Sequence, residues 1–555
     1  MPMQITTPKT AKADLHVHSK HSSQPDEWYL RQLRAPECYT EPREVYRLCR
    51  ERGMDFVTIS DHDTIDGALE IAHLPGTFLS CEVTVEFPTD GCQVHCLVTG
   101  ISEAQHHEIQ RLRRNVYDFR DYLMEEGIVH SVAHPLYRVN DRLTLDHFEK
   151  LLVLFNRFEA LNGIHERRAN EMVRRILGAL TPETLASLAE RHRLAPVGAT
   201  PWIKSLTGGS DDHGGFFVAT TYTETPAAAT VEEFLAHLDA GRHHPGGETG
   251  SSLRLVQSLY GIAWQYYRRQ FPWFLGNRND PFAVLLRTLA QGPAASGDRR
   301  TVMAARKAQR ESLAKLARGV LRPLRRGRLA ECLAAVSHLA PLALSAAPYV
   351  MALRAQHKDA GLLESASLRF LGEPPEAGRP IRKAWFTDTL TGLGGMDVGP
   401  HLTALVCGSC DGAPPTGLPV HAFEPLLEVP IPGGGTRKLA VPPLLEILEH
   451  CERERYAEIV IGTPGPIGLA GLAAGKLLGI PLAGVYPADF PPDVLRLFGS
   501  PGLEDAAWAY LRWFYGQMDR VVVPDPPVSP CADELELAGV ALGLEDRAME
   551  REIAR

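Results

Sequence analysis

Cysteine is scarce and scattered in this sequence, ten residues in 555, and the opening MPMQITTPKT carries no apolar run. Neither a secretory leader nor a disulfide framework is expected, which points to a reduced, cytoplasmic protein. Net positive charge is also lacking, the formal balance being −9. General nucleic-acid binding needs clustered Lys and Arg to neutralise phosphates and is not expected here, so any polyanion site must be local. One C-x-x-C pair, Cys407 and Cys410 in CGSC, has metal or redox spacing. No second pair completes a zinc knuckle, and ordinary buried thiols are the better reading. There is no repeat of fixed period. What is present is a globular composition, 44% hydrophobic and 23% charged, with length for about three or four domains.

Residues 1–245 alternate short apolar runs (DFVTIS, TFLSCEV, VHCLVTG, IVHSVAH, RFEALNG) with helical patterns. One of these helices is TEPREVYRLCRERG, with Thr40 as its cap, Pro42 in the first turn and Gly53 as its stop. This rhythm implies an α/β fold built on a parallel sheet or barrel. Residues 246–375 read as a helical, partly basic connecting segment. Its Lys and Arg are dense from Arg299 to Arg328, which suggests peripheral membrane contact through 299–328. The uncharged stretch Cys332 to Leu353 is broken by Pro341 and Pro348 and reads as a buried hairpin. Residues 376–525 regain the alternation: AEIVIGTPGPIGLAGLAAGKLLGIPLAGV predicts one βαβ unit with strands at 459–461 and 482–485. Residues 526–555 read as a tail, a loop and a short charged helix.

The stretch ADLHVHSKHSS concentrates His16, His18 and His21. A strand there would put Asp14, His16 and His18 on one face. With 22 histidines in the chain, one H-x-H is expected about once by chance. Later apolar runs end in further potential ligands: Asp61 and His62, Glu82, His95, His134, Asp211 and His213. In a parallel barrel the carboxyl ends of all strands gather on one face, where such residues converge. Gly208, Gly209, Gly214 and Gly215 flank the last pair, either to admit substrate or to permit a tight turn.

In that order, DLHVHS, ISDHDT, Glu82, His95, AHP and GSDDH resemble the PHP (polymerase and histidinol phosphatase) domain over residues 10–240. The resemblance implies a distorted (β/α)7 barrel and a metal-dependent phosphoesterase, a hydrolase with two or three divalent metal ions. It implies a first metal on His16, His18, Glu82 and Asp211. Glu82 would bridge to a second on His95 and His134, and a third would use His62 and His213. Family members place Asp or His five or six residues after the second histidine, where this chain has Ser23 and Gln24. The third site is then either vacant or completed by His21 or Asp26. Imidazole and carboxylate ligands suit Zn, Mn or Fe, and two such ions favour in-line phosphoester hydrolysis of a small phosphorylated substrate, a sugar phosphate or nucleotide-linked compound.

The stretch from Tyr456 to Pro491, followed by LRWFYGQMDRVVVPDP, resembles the acceptor-side Rossmann half of a two-domain (GT-B type, family 4-like) glycosyltransferase. Three features oppose sugar transfer. The glycine loop 387–395 is followed too soon by the next strand, Pro487 stands where relatives carry His, and the chain stops at Arg555 before a donor half. The leading expectation is a phosphoesterase with a degenerate transferase-like module. The alternatives are a glycosyltransferase of cell-envelope polysaccharide or glycolipid synthesis with an accessory PHP domain, and a non-catalytic, metal-stabilised scaffold.

Overall fold

The computed structural model describes residues 10–23, 36–271, 273, 339–375, 381–390, 401–408, 417–430, 438–485, 501–523 and 542–544. Asp26, Cys410, the basic stretch 299–328, residues 391–395 of the glycine loop and Tyr486 to Asp489 lie outside them. The protein is mixed α/β, in two compact units: Met1–Ala305 with Lys358–Ala377, and Arg306–His357 with Gly378–Arg555. The stretch between 246 and 375 is thus divided between the units.

The first unit carries strands β1 (Thr10–Ala13), β2 (Ser80–Phe87), β3 (Cys92–Thr99), β4 (Val129–Val132), β5 (Arg157–Asn162), β6 (Ser205–Gly209), β7 (Thr221–Pro226) and β8 (His244–Gly247). They form a five-stranded sheet, β2-β3-β4-β5-β6, and a three-stranded sheet, β1-β7-β8. The larger sheet is not all parallel: β3 runs antiparallel to β2 and β4, while β4, β5 and β6 are parallel. Two irregular segments extend it. Val17 bridges Asp212 and His62 bridges Glu82, both in parallel sense, and Ser60 N donates to Val17 O at 2.9 Å. Taken in order, these contacts join segment 14–18, segment 57–62, β2, β3, β4, β5 and β6 in a ring.

Alternation along the strands decides what faces inward. Cys81, Val83, Val85 and Phe87 of β2, Val94, Cys96 and Val98 of β3, and Phe158 and Ala160 of β5 share one apolar core with surrounding helices. The period of two therefore turns Glu82, His95 and Glu159 to the opposite face. The helices supply the other half of that core from one stripe each: Val116, Phe119 and Leu123 from Val116–Glu125, and Phe148, Leu151 and Leu152 from Leu145–Leu154. Thr144 caps the latter by accepting from His147 N, which satisfies one orphan amide. Removing a ring such as Phe119, fully buried, costs about 3–5 kcal/mol.

Several local expectations change. The strand expected at 14–18 is a ladder only up to Ala13; beyond it the backbone bonds to two different neighbours, Asp212 and Ser60, and runs irregularly. The run DFVTIS makes a single bridge at Val57 rather than a strand. Helix Pro42–Glu51 is capped at Glu41, not Thr40, without a side-chain bond; Gly53 beyond its end has φ +83°, as a stop requires. Pro348 lies inside helix Leu339–His357 and Pro341 in its first turn, where a missing amide is tolerated.

The second unit carries β9 (Lys383–Phe386), β10 (Leu402–Cys407), β11 (Val420–Phe423), β12 (Leu427–Pro430), β13 (Lys438–Val441), β14 (Glu458–Ile461), β15 (Leu482–Val485), β16 (Arg520–Val523) and β17 (Leu542–Leu544). Its main sheet has the order β11-β10-β9-β14-β15-β16-β17 and is parallel throughout. Strand order reverses between β9 and β14, as in doubly wound folds. The βαβ unit read from the sequence is β14, helix Pro466–Leu478 and β15. Within the expected tail, 542–544 pairs as an edge strand because Leu542 and Leu544 extend the sheet beside β16.

At that switch point the loop of Gly462, Gly465 and Gly468 could receive an anion at the helix terminus, but the sequence favours close packing. The structure favours packing. A Cβ on Gly465 would stand 2.1 Å from Asp388 Oδ2, and one on Gly468 would stand 1.9 Å from Thr463 O. Asp388 accepts from Thr463 Oγ1 at 2.7 Å and from the Ile467 amide, so a carboxylate of the chain already takes the helix terminus that a phosphate would use. Burial pushes that carboxyl upward despite Thr463.

Candidate metal centre

The inward face of the first unit collects imidazoles around one carboxylate. Glu82 is fully buried, and its two oxygens face different histidines. Oε2 lies 3.0 Å from His16 Nε2, 3.2 Å from His18 Nε2 and 3.3 Å from His62 Nδ1. Oε1 lies 2.8 Å from His95 Nδ1 and 3.1 Å from His134 Nε2. A second carboxylate, Asp211, closes the first set: its Oδ1 is 3.3 Å from both His16 Nε2 and His18 Nε2 and 3.7 Å from His213 Nδ1. His213 stacks on His18 at 4.0 Å between ring centroids, and His18 stacks on His62 at 4.6 Å.

All eight ligand candidates, His16, His18, His62, Glu82, His95, His134, Asp211 and His213, are therefore brought together. Donor atoms within metal-binding reach of one another form four overlapping sets: His16, His18 and Glu82; His16, His134 and Asp211; His62, Glu82 and His95; and His18, His62 and His213. His21 is not among them. Its Nε2 lies 2.7 Å from Glu70 on the half-exposed side of the turn, so a hydrogen bond holds it away. Asp14 and Asp61 are buried but face elsewhere. Asp14 accepts from the amides of Ser210, Ala219 and His16, and burial pushes its carboxyl up to about 6. Asp61 accepts from Ser19 and Ser22.

Several contributors were not singled out in the sequence. Glu159 Oε1 is 2.9 Å from His16 Nδ1, and its Oε2 accepts from His134 N and Asn162 Nδ2. It stands where an orienting carboxylate behind a candidate ligand histidine would stand. Ser22 Oγ, 3.0 Å from His18 Nδ1, holds that ring in turn. His165 Nε2 lies 3.5 Å from Asp211 Oδ2, and its ring lies 4.7 Å from that of His134. Glu37 Oε2 lies 3.4 Å from His62 Nε2. The available signal for Glu159 was a single carboxylate in the apolar run RFEAL.

The glycines beside the last pair serve backbone approach: a Cβ on Gly209 would meet His16 Cβ at 2.3 Å, so Gly209 is what lets His16 lie against β6. Two candidate ligands also sit at positive φ, Asp211 at +51° and His134 at +25°, a conformation that costs energy and concentrates at functional sites.

The electrostatics are those of a site built around positive charge. Burial opposes ionisation of Glu82, yet His16, His95 and His62 hold it well below the usual carboxylate range. Burial likewise opposes ionisation of Asp211, which His16 and His18 lower. Burial works against charge on His16, but Asp211, Glu82 and Glu159 raise it well above the usual imidazole value. The same competition, with Asp211 and then Glu82 prevailing, brings His18 to about 9. His213 goes the other way, driven down by burial and by His18.

A divalent cation fits this donor set. His213 Nε2 is buried without a hydrogen-bond partner, and a buried polar atom left so is costly. Among the described residues no Lys or Arg stands within ion-pair distance of Glu82 or Asp211. A further cluster, Asp146, Glu149 and His192, differs: Arg369 and His192 sit 2.8 Å from Glu149, and Lys150 sits 2.7 Å from Asp146. It is an ion-pair network.

No protein-family model matches the chain. It is 37% identical over 67 residues to an uncharacterized protein of Methanocaldococcus jannaschii, covering 12% of this chain and 37% of that protein's length. Among solved structures, a Bifidobacterium adolescentis protein proposed to be a metal-dependent phosphoesterase matches over 38% of this chain and 90% of its own, at 18% identity and a TM-score of 0.20. A TM-score of 0.20 carries no argument about fold or chemistry, so the site's own geometry has to decide what it binds.

Proposed function

We propose that the first unit is a metal-dependent phosphoesterase of the PHP type. The observation that carries this reading is the division of the Glu82 carboxylate, Oε2 toward His16 and His18 with Asp211, Oε1 toward His95 and His134. One carboxylate between two imidazole groups suits a pair of cations sharing a bridge. His62 and His213, stacked against His18, are the residues for a third. The mixed donors suit Zn, Mn or Fe. When bound, such ions supply Lewis acidity and charge neutralisation for displacement at phosphorus.

The chain's own residues do the positioning. Glu159 fixes the tautomer of His16 and, through the His134 amide, the backbone of a second ligand. Ser22 orients His18. Gly209 lets the fully buried His16 pack closely against β6. The second unit is read as a Rossmann-like module without a phosphate site at its switch-point helix, since Asp388 takes that place.

The test is hydrolysis of p-nitrophenyl phosphate and bis-p-nitrophenyl phosphate with added Mn or Zn. Turnover that chelator removes and metal restores supports the reading. A chain that holds metal and turns over neither ester would favour the metal-stabilised scaffold instead.

A further inference from the structure

The acidic and imidazole lining of the centre leaves open what would hold the rest of an anionic substrate, and the segment 358–377 supplies an answer. Lys358 and Asp359 are clamped onto the loop that follows His134. The Arg138 guanidinium grips Asp359, Nε to Oδ1 at 2.7 Å, and also donates to Lys358 O. Lys358 Nζ returns a bond to Arg138 O at 2.8 Å. The Lys358 ammonium then lies 4.0 Å above the Tyr137 ring.

That ring leads inward. Tyr137 is 4.3 Å from the His165 ring and 5.3 Å from the His134 ring, and these two imidazoles contact Asp211 and Glu82. Among the described residues no carboxylate stands within ion-pair distance of Lys358, whereas Lys20 faces Glu41 and Glu70, and Arg269 faces Glu41. The carboxylate that feels its charge, Asp359, is gripped by Arg138, so this half-buried ammonium, held by its own backbone partner and an aromatic face, is left to receive an anion.

We infer that Lys358 binds a second anionic group of the substrate, on the side of the metal centre where Tyr137 and His165 lie. The substrate class is then a phosphoester carrying a further phosphate or carboxylate. This inference rests on the phosphoesterase reading.

The experiment is competition against p-nitrophenyl phosphate hydrolysis by glucose 1,6-bisphosphate and by glucose 6-phosphate, with full-length wild type, Lys358→Gln and Lys358→Arg, each checked for metal content. For wild type the bisphosphate should inhibit at least about tenfold better than the monophosphate, the value of one charge-assisted contact. Lys358→Gln should bring the two within about twofold, Lys358→Arg should keep most of the difference, and metal content should be the same in all three. A wild type that does not distinguish the two competitors, or a preference that survives Lys358→Gln, overturns the inference and leaves the phosphoesterase reading standing. Loss of the preference in Lys358→Arg together with loss of metal would assign Lys358 a purely structural role and overturn it too. Absent metal and absent hydrolysis in wild type would instead defeat the underlying reading.

Discussion

The Nδ1 of His16 lies 2.9 Å from Oε1 of Glu159 across the interior of the ring, both side chains fully shielded from solvent. This pair fixes which nitrogen of His16 faces the centre: Nδ1 is committed to Glu159, so Nε2 is the one presented to Glu82 and Asp211. Such outer partners are worth about 10- to 100-fold in metal affinity. Glu159→Ala should weaken metal binding by that order while the protein remains folded, as a chelator-competition titration would measure. Unchanged affinity would remove Glu159 from the account.

Protonation and metal compete for the same atoms. Burial disfavours charge on His18, but Asp211 and Glu82 outweigh it and raise the group to about 9. Because the folded value lies above 6.5, this stabilisation of the metal-free protein is complete below about pH 6.5 and is lost as pH rises through about 9. Chelator-treated protein should melt at falling temperature across that window, and metal-loaded protein should show a smaller fall. Metal binding near neutral pH should release protons, visible as a binding enthalpy that varies with the ionisation heat of the buffer. A buffer-independent enthalpy would speak against protonated ligand histidines.

His21 belongs to the sequence cluster but not to the site, since Glu70 holds its Nε2 at 2.7 Å. His21→Ala should keep the wild-type metal stoichiometry by elemental analysis. A loss of one equivalent would return it to the third site.

In the second unit, Gly468 is fixed by packing. A methyl group there would press on Thr463 O at 1.9 Å, and backbone cannot give way as a side-chain tip can. Gly468→Ala should destabilise that unit by about 1–3 kcal/mol, read as an earlier unfolding transition in calorimetry, with metal content unchanged. No change in the transition would mean the helix shifts freely and the glycine is not a packing requirement.

The alternation of apolar and polar residues in β2, β3 and β5 was legible, because period two needs only the chain's own pattern; it is what turns Glu82 and His95 inward. The convergence of the His, Asp and Glu candidates was legible from their places at the ends of successive apolar runs. What the pattern could not carry was tertiary choice. Asp14 and Asp61 stand next to candidate ligands in sequence yet spend their oxygens on backbone amides and serines. Glu159 hides in an apolar run, and its partner His16 is far away in sequence. The antiparallel β3 and the irregular segments 14–18 and 57–62 depend on hydrogen bonds between distant residues, so a uniform parallel βα rhythm was the wrong simplification for this ring. Lys358 owes its position to a clamp with Arg138, which no local signal announces.

The central claim is that Glu82 is the shared carboxylate of a multinuclear site. The most direct measurement is the metal content of wild type and Glu82→Gln, both purified without chelator, with circular dichroism to confirm that the variant is folded. The account predicts about two or more metal ions per wild-type chain and a folded Glu82→Gln that has lost at least one of them. Equal metal content in the two proteins would contradict it.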